Sequence, residues 1–328
     1  MAVIKPNIPY WGTVDAILRS RLILEAETLR ANVVELLTGI KKTHTLPNIN
    51  VSLVPQAYAC EIVPSGDVLI DQREIEVCDI KWVFEACKAD FDYNYTNGIA
   101  PAFTQLDGIY NMGPNQFMVD RILDLMMQQN SLFLDFLIWT GNTALINPVP
   151  FNFDLQLCRG LLWHIINEGG FIPVPLKSSV LTNPTTIITE LNKMYSALPA
   201  AMYQLIRRPR SGKELILYTS TGTLRALEQF LSTQSTETTI ADIEQREGVM
   251  YFRGIRIFAT DAIPANYAII TYSSNLFVGT DLMSDFDEIR FLDRSEHDLR
   301  SDKIQISAKY RIGTAVNFMN ELVYYFPA

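Results

Sequence analysis

From Ile304 the chain alternates with a period of two. The even positions read Ile304, Ile306, Ala308, Tyr310, Ile312, Thr314, Val316 and Phe318. The odd positions read Lys303, Gln305, Ser307, Lys309, Arg311, Gly313, Ala315 and Asn317. One apolar face and one polar face predict a half-buried strand, longer than the ~5–6 residues of an average strand. The segment Asn275 to Leu282 leads into it, and no catalytic motif accompanies either stretch.

Elsewhere the period changes. Ile17, Leu18, Leu22, Leu24, Leu29, Val33, Leu36 and Leu37 recur at helical spacing and predict a helix from Thr13 to Lys42, with Gly39, Lys41 and Lys42 as its stop. An extended, proline-rich start precedes it, Lys5-Pro6-Asn7-Ile8-Pro9-Tyr10-Trp11, with too little neighbouring chain to fold upon. From Val51 to Cys87 the character is β, with a turn at Pro64-Ser65-Gly66-Asp67 and a second strand from Val68 through Ile70; this reads as a projecting hairpin. Asp90 to Gly113 reads as loop.

Pro114 opens the strongest helix, reaching Trp139 and stopping at Gly141-Asn142; its apolar residues fill more than one face, so it is packed on several sides. Asp120, Arg121, Asp124 and Asp135 exclude it as a membrane span. Shorter helices are predicted over Phe153 to Asn167, over Pro184 to Leu198 with Asn183 as N-cap, and over Thr221 to Leu231. Strands are predicted over Leu215 to Thr219, Met250 to Phe258 and Tyr267 to Tyr272, with a Ser/Thr-rich loop over Ser232 to Thr239. The fold class is α+β.

Composition sharpens this. At 328 residues the chain exceeds the size at which single cores usually divide. Apolar residues make up 48% and charged residues 19%, below the ~25% of ordinary soluble proteins. Such a chain fills a large core and keeps apolar surface for copies of itself. A formal net charge of −9 argues against a sequence-specific nucleic-acid reader, which usually carries a basic patch. The four cysteines, Cys60, Cys78, Cys87 and Cys158, have no zinc or thioredoxin spacing; three lie in apolar or amphipathic stretches and read as buried free thiols, in a reducing compartment. Nothing at Met1 to Pro6 resembles a secretory leader.

Candidate chemistry is sparse. Arg207-Arg208-Pro209-Arg210-Ser211-Gly212-Lys213 contains Gly-Lys, but Arg207 stands where a phosphate loop needs its first glycine, and Glu214 replaces the magnesium-binding Ser/Thr. A basic turn that meets acidic groups or phosphates fits better. His44, His164 and His297 are far apart, and His164 on an apolar helix reads as a satisfied core residue. Asp281, Asp285, Asp287 and Glu288 lack the order of a calcium loop and read as a solvated acidic turn. No catalytic, metal or cofactor site is expected.

The order of elements, an arm with a helix, a hairpin, a long helix, an α/β region and closing strands, resembles the major capsid proteins of tailed bacteriophages, the Hong Kong 97 fold. Phe136-Leu137-Ile138-Trp139-Thr140-Gly141-Asn142 is similar to the end of that family's spine helix, and Glu168-Gly169-Gly170-Phe171-Ile172-Pro173 to the entry of its axial domain. Tyr251-Phe252-Arg253-Gly254-Ile255-Arg256-Ile257 with Ile263-Pro264 resembles a recurrent strand and turn. Tyr310 to Val316 with Glu321-Leu322-Val323-Tyr324-Tyr325 resembles the usual ending.

The resemblance implies an N-terminal arm (1–50), an extended hairpin loop (51–100), a peripheral domain with the spine helix (101–144), an axial domain (145–285) and closing strands shared by both (286–328). It implies pentamers and hexamers in an icosahedral shell around double-stranded DNA, with non-specific DNA contact. The partners implied are a separate scaffolding protein, since only a short arm precedes the first helix, a portal and decoration proteins, with no membrane. Inter-subunit contacts are expected from Pro6, Pro9, Trp11, Val68, Ile70, Arg207, Arg208 and Arg210. The family's lysine–asparagine cross-link finds no matching residue set. An encapsulin-type nanocompartment and a soluble α/β enzyme using His164 are the competing readings.

Overall fold

The computed structural model describes residues 25–53, 66–87, 116–143, 155–174, 180–207, 213–233, 243–246, 248–281, 288–293 and 303–326. The chain is α+β. In order it runs α1 (Glu27–Arg30), β1 (Glu35–Leu37), β2 (Thr43–Leu53), β3 (Gly66–Glu76), β4 (Cys78–Cys87), α2 (Gln116–Thr140), α3 (Leu161–Glu168) and β5 (Ile172–Pro173). There follow α4 (Ile187–Ser196), α5 (Ala200–Arg207), β6 (Leu215–Ser220), α6 (Thr221–Thr233), β7 (Ile243–Arg246), β8 (Val249–Phe252), β9 (Ile255–Thr260) and β10 (Ala268–Tyr272). The last elements are β11 (Leu276–Thr280), β12 (Glu288–Asp293), β13 (Lys303–Val316) and β14 (Val323–Tyr325).

Three sheets organise these strands. A seven-stranded sheet has the order β5-β14-β10-β6-β9-β8-β7. All six residues of its central strand β6 are buried, the pattern of a strand covered on both faces. Period-two alternation sends Ile216, Tyr218, Ile269 and Tyr324 into one core, shared with α2 and α3. The intervening Leu215, Leu217, Ile270 and Tyr325 enter a second core with α4, α5 and α6.

The second sheet is built around β13. β11 and β12 share one side of it, and β4 lies along the other. The predicted alternation holds: Ile306, Ala308, Tyr310 and Ile312 are buried against α2 and α3, and the Tyr310 hydroxyl donates to Asn130 Oδ1 at 2.7 Å. The third sheet is the hairpin of β2 and β3, paired from Thr43↔Glu76 to Leu53↔Gly66. Each strand has 11 residues, so the hairpin is roughly 35 Å long.

Several local expectations are corrected. The helix expected through Lys42 ends at Arg30, where Asn32 turns with φ +51°, and Leu36 and Leu37 belong to β1. Their apolar spacing came from a strand paired with β11. The hairpin begins at Thr43, not Val51. The helix expected from Phe153 starts only at Leu161, because Gly160 is extended and residues 155–158 turn. Asn183 does not cap α4; its Oδ1 accepts from Thr185 N at 3.1 Å in a turn before the helix. The strand expected over Met250 to Phe258 is split by a turn at Arg253-Gly254 into β8 and β9. Helix α5 had no expectation at all.

The cysteine reading also changes. Cys78 and Cys158 are joined in a disulfide, with Cα atoms 5.9 Å apart. The two lie 80 residues apart in sequence, and only the seating of β4 over the α2–α3 connection brings them together. Cys60 lies outside the described residues, as do residues 88–115, where the loop from Asp90 was expected.

Candidate assembly site at the hairpin base

The projecting hairpin has to be fixed where it leaves the body, and two glycines make that possible. Gly279 on β11 and Gly313 on β13 stand directly opposite each other. A Cβ at Gly313 would lie 2.0 Å from the Glu76 carbonyl oxygen, and one at Gly279 2.8 Å from Ile75 Cδ1. The bare backbone of this pair is the slot through which the chain passes from β3 into β4. The crossing is secured by Val77 N donating to Lys42 O at 3.0 Å and Ile40 N to Thr280 O at 3.1 Å.

Around the slot, Ile40, Leu46, Ile75 and Val77 from the hairpin side bury against Phe277 and Ala315 in a small core of their own. This explains why Ala315, on the nominally polar face of β13, is buried. Arg311 spans the edge of the slot, donating from Nε to Asp79 at 2.7 Å and from Nη1 to Asp281 at 2.8 Å. Asp281 is therefore not part of a solvated acidic turn: it is buried and paired, because β11 and β13 close over it. Asp285 and Asp287 lie outside the described residues.

A polar contact ties the hairpin to α3. Arg73 on β3 donates from Nη1 to Glu168, whose other carboxylate oxygen meets His164 Nδ1 at 2.6 Å. The hydrogen bond from His164 holds the Glu168 carboxyl below its ordinary value near 4.5; Arg73 adds to this and burial opposes it. His164 is thus a satisfied, nearly buried residue, as expected. The cleft beside it, bounded by Arg73, Glu74, His164, Glu168, Ala315 and Val316, measures about 90 Å³. Ligand pockets run to roughly 300–1,000 Å³, so this cleft does not hold an ordinary substrate.

A carboxyl with a depressed folded value stabilises the fold above its unfolded value, and that contribution disappears as pH falls through the folded value. Wild type is therefore expected to exceed Glu168→Gln by about 1 kcal/mol at neutral pH, a modest figure for a partly exposed group. The difference should shrink below pH 4.5. Urea unfolding of both proteins across that range measures it; a difference independent of pH would rule out the ion-pair account.

The N-terminal segment is anchored differently. Asp135 on α2 is buried and caps α1 from outside, accepting from Glu27 N at 2.7 Å and Thr28 N at 2.9 Å. Trp139 Nε1 donates to Thr28 Oγ1 at 2.9 Å, and the Tyr218 hydroxyl donates to the Val33 carbonyl. Burial pushes the Asp135 carboxyl up, against the pull of the Thr28 and Glu27 amides.

Of the residues expected to touch neighbours, Val68 and Ile70 lie on β3, in register with Val51 and Ile49. Ile70 is 65% exposed, the most exposed large apolar residue of the described chain. Arg207 is the last residue of α5. Pro6, Pro9, Trp11, Arg208 and Arg210 lie outside the described residues. Among the described residues, no cluster of three His, Cys, Asp or Glu side chains could hold a metal, and no helix is long and apolar enough to cross a membrane. The glycine pair, the Asp135 cap and the disulfide were missed by sequence reasoning. Only Gly279 and Gly313 left a signal, as glycines inside strand patterns.

Comparison with solved structures shows where this architecture recurs. The chain is similar to a chain of the satellite phage P4 procapsid at 12% identity and a TM-score of 0.59, over 98% of this chain and 92% of that chain. The chain has a phage-capsid fold. Two further likenesses agree. One is to the capsid of cyanophage P-SCSP1u, at 10% identity and a TM-score of 0.51, over 91% of this chain and 88% of that one. The other is to the capsid of an empty GTA particle, at 10% identity and a TM-score of 0.50, over 94% and 91%. No protein-family model matches the chain, and no curated protein matches it.

Proposed function

We propose that this chain is the major capsid subunit of a tailed phage, assembling with its own copies into an icosahedral shell around double-stranded DNA. The observation that carries the reading is the likeness to the P4 procapsid chain over nearly the whole length of both chains. The reading is that of a structural protein with no cofactor.

In this reading, pentamers and hexamers form through heterologous contacts that close by rotation. The GTA capsid was computed with C5 symmetry, which is the arrangement such contacts produce. The proposed domains are the arm (1–50), the hairpin loop (51–100), the peripheral domain (101–144), the axial domain (145–285) and the closing strands (286–328). Pro6, Pro9 and Trp11 of the arm, with Val68 and Ile70 of the hairpin, clasp neighbouring subunits. Arg207, Arg208 and Arg210 meet a neighbour's acids or DNA phosphates. A separate scaffolding protein, a portal and decoration proteins complete the particle.

Electron microscopy and light scattering on the purified protein, alone and with its neighbouring genes, test this. Closed particles containing DNA are expected. Shells loaded with protein cargo would instead mean a nanocompartment, and a monomer or dimer under every condition would favour an enzyme. Removing residues 1–12 should leave the fold intact and reduce particle yield several-fold; undiminished assembly would remove the clasping role of the arm.

A further inference from the structure

Among the described residues, strand β4 is an open edge. β13 runs along one side of it from Cys78↔Ile312 to Cys87↔Lys303. Among the described residues no strand pairs with the other side. Natural edges of this length are usually shortened, bulged or interrupted by proline, because their unpaired N–H and C=O groups recruit other strands. β4 has ten residues and no proline. It also exposes apolar side chains, with Val83 at 46% and Phe84 at 39%.

The sequence of this edge is complementary to itself when reversed about Val83. In an antiparallel pair centred there, Val83 meets its own copy. Lys81 then falls opposite Glu85, and Trp82 opposite Phe84. The first pairing joins opposite charges on the face that carries Val83; the second stacks aromatic rings on the other face. Sliding the pair by two residues in one direction sets Asp79 against Glu85, and by four sets Lys81 against itself; sliding it by two in the other direction sets Val83 against Glu85. Among these registers only the one about Val83 joins opposite charges.

Within one subunit, Lys81 stands directly across from Lys309, which already has Glu288 of β12 opposite it on its other side. In the pair about Val83, a carboxylate meets Lys81 from the open side of β4. Glu85 meets Lys303 at 3.5 Å in an exposed pair, and a carboxylate has acceptor sites for a second cation.

We infer that β4 is a two-fold docking edge for a second copy of this chain, the two strands joining antiparallel about Val83 so that one sheet runs across both subunits. The contact is isologous, each copy offering the same patch. It deepens the shell reading, on which it rests, by naming the strand through which subunits join across a two-fold axis.

Cysteine scanning of the full chain tests the geometry. Val83→Cys places a thiol beside its own copy, within the reach of a disulfide. Ser307→Cys is the control, since Ser307 stands opposite Val83 on β13, one strand farther from the axis. Under oxidised glutathione, Val83→Cys should give a covalent dimer on a non-reducing gel and Ser307→Cys should match wild type. Lys81→Glu and Glu85→Lys should each weaken dimerisation about tenfold in sedimentation equilibrium, and the double exchange should restore it. Equal cross-linking at the two cysteines, or a double variant as weak as the singles, would overturn the inference. Micrographs of the same samples separate the two readings. Shells containing uncross-linked Val83→Cys would leave the shell standing without this edge. Cross-linked dimers that form no shell under any condition would keep the edge and reject the shell.

Discussion

Gly313→Ala should cost the protein about 3 kcal/mol or more of stability, at the upper end of what overpacking does. The added Cβ would sit 2.0 Å from the Glu76 carbonyl oxygen and 2.9 Å from Val77 Cα. Both obstacles are backbone, so no rotamer change relieves them. Either β3 lifts away from the sheet, opening the small core of Ile75, Val77 and Phe277, or β13 bends. Gly279→Ala is the internal comparison. Its Cβ meets side-chain atoms rather than backbone, the Cδ1 atoms of Ile75 and Ile40 at 2.8 and 2.9 Å and Ile75 Cγ1 at 3.3 Å. Those atoms move by rotation, and a loss nearer 1 kcal/mol is expected. Urea midpoints for the two variants decide the matter. If Gly279→Ala proved the more damaging, the chain would not pass through the slot as described. In the shell reading, Gly313→Ala also reduces particle yield, because a tilted hairpin misses its neighbour.

The second large effect is expected at Asp135. Asp135→Ala leaves the amides of Glu27 and Thr28 buried without an acceptor, a loss of about 3 kcal/mol for two charge-assisted bonds. Asp135→Asn keeps one acceptor oxygen and should lose about half as much. The pH response carries a distinct sign. Burial raises this carboxyl above its ordinary 3.8, so its contribution is fullest in acid and is lost as pH rises through the folded value. Glu168 has the opposite sign. The acid limb of wild-type stability therefore contains contributions of opposite sign from Asp135 and Glu168, and removing either one should change its slope in the opposite direction to removing the other. Chemical unfolding of Asp135→Asn and Glu168→Gln between pH 3 and 7, a range of roughly the usual carboxyl titration, measures both slopes. Slopes of the same sign would contradict the two environments.

Much of the fold was legible in local pattern. The closing strand was read from its alternation, and β13 buries the even positions from Ile306 to Ile312. The long helix was read from apolar residues on more than one face, and Leu134 through Trp139 are all buried. The failures have a common origin. Leu36 and Leu37 satisfied helical spacing because three residues are too few to separate a short strand from a helical turn. The Met250 to Phe258 run hid a tight turn because Arg253, a non-glycine residue, takes a φ of +49° there, supported by its guanidinium over the Tyr195 ring at 5.1 Å.

The candidate site was legible only in outline. Ile70 was marked by its place in a sparse apolar hairpin, and it is exposed. Arg73, Glu168 and His164 gave no signal as a group, since 91 residues separate Arg73 from His164 by numbering alone. Asp281 looked like one acid among four and became a buried partner of Arg311.

The chain's sequence by itself set the periodicities, and with them which residues face a core and which elements form. It also set the shortage of charge and the self-complementary run about Val83, both readable because they depend on neighbours along the chain. Tertiary structure decided the rest. It chose Gly279 and Gly313 as the slot, Asp135 as the cap of α1 and Cys78 with Cys158 as partners, because each depends on strands and helices meeting across long stretches of chain, where side-chain volume and the direction of a backbone carbonyl matter more than any local propensity.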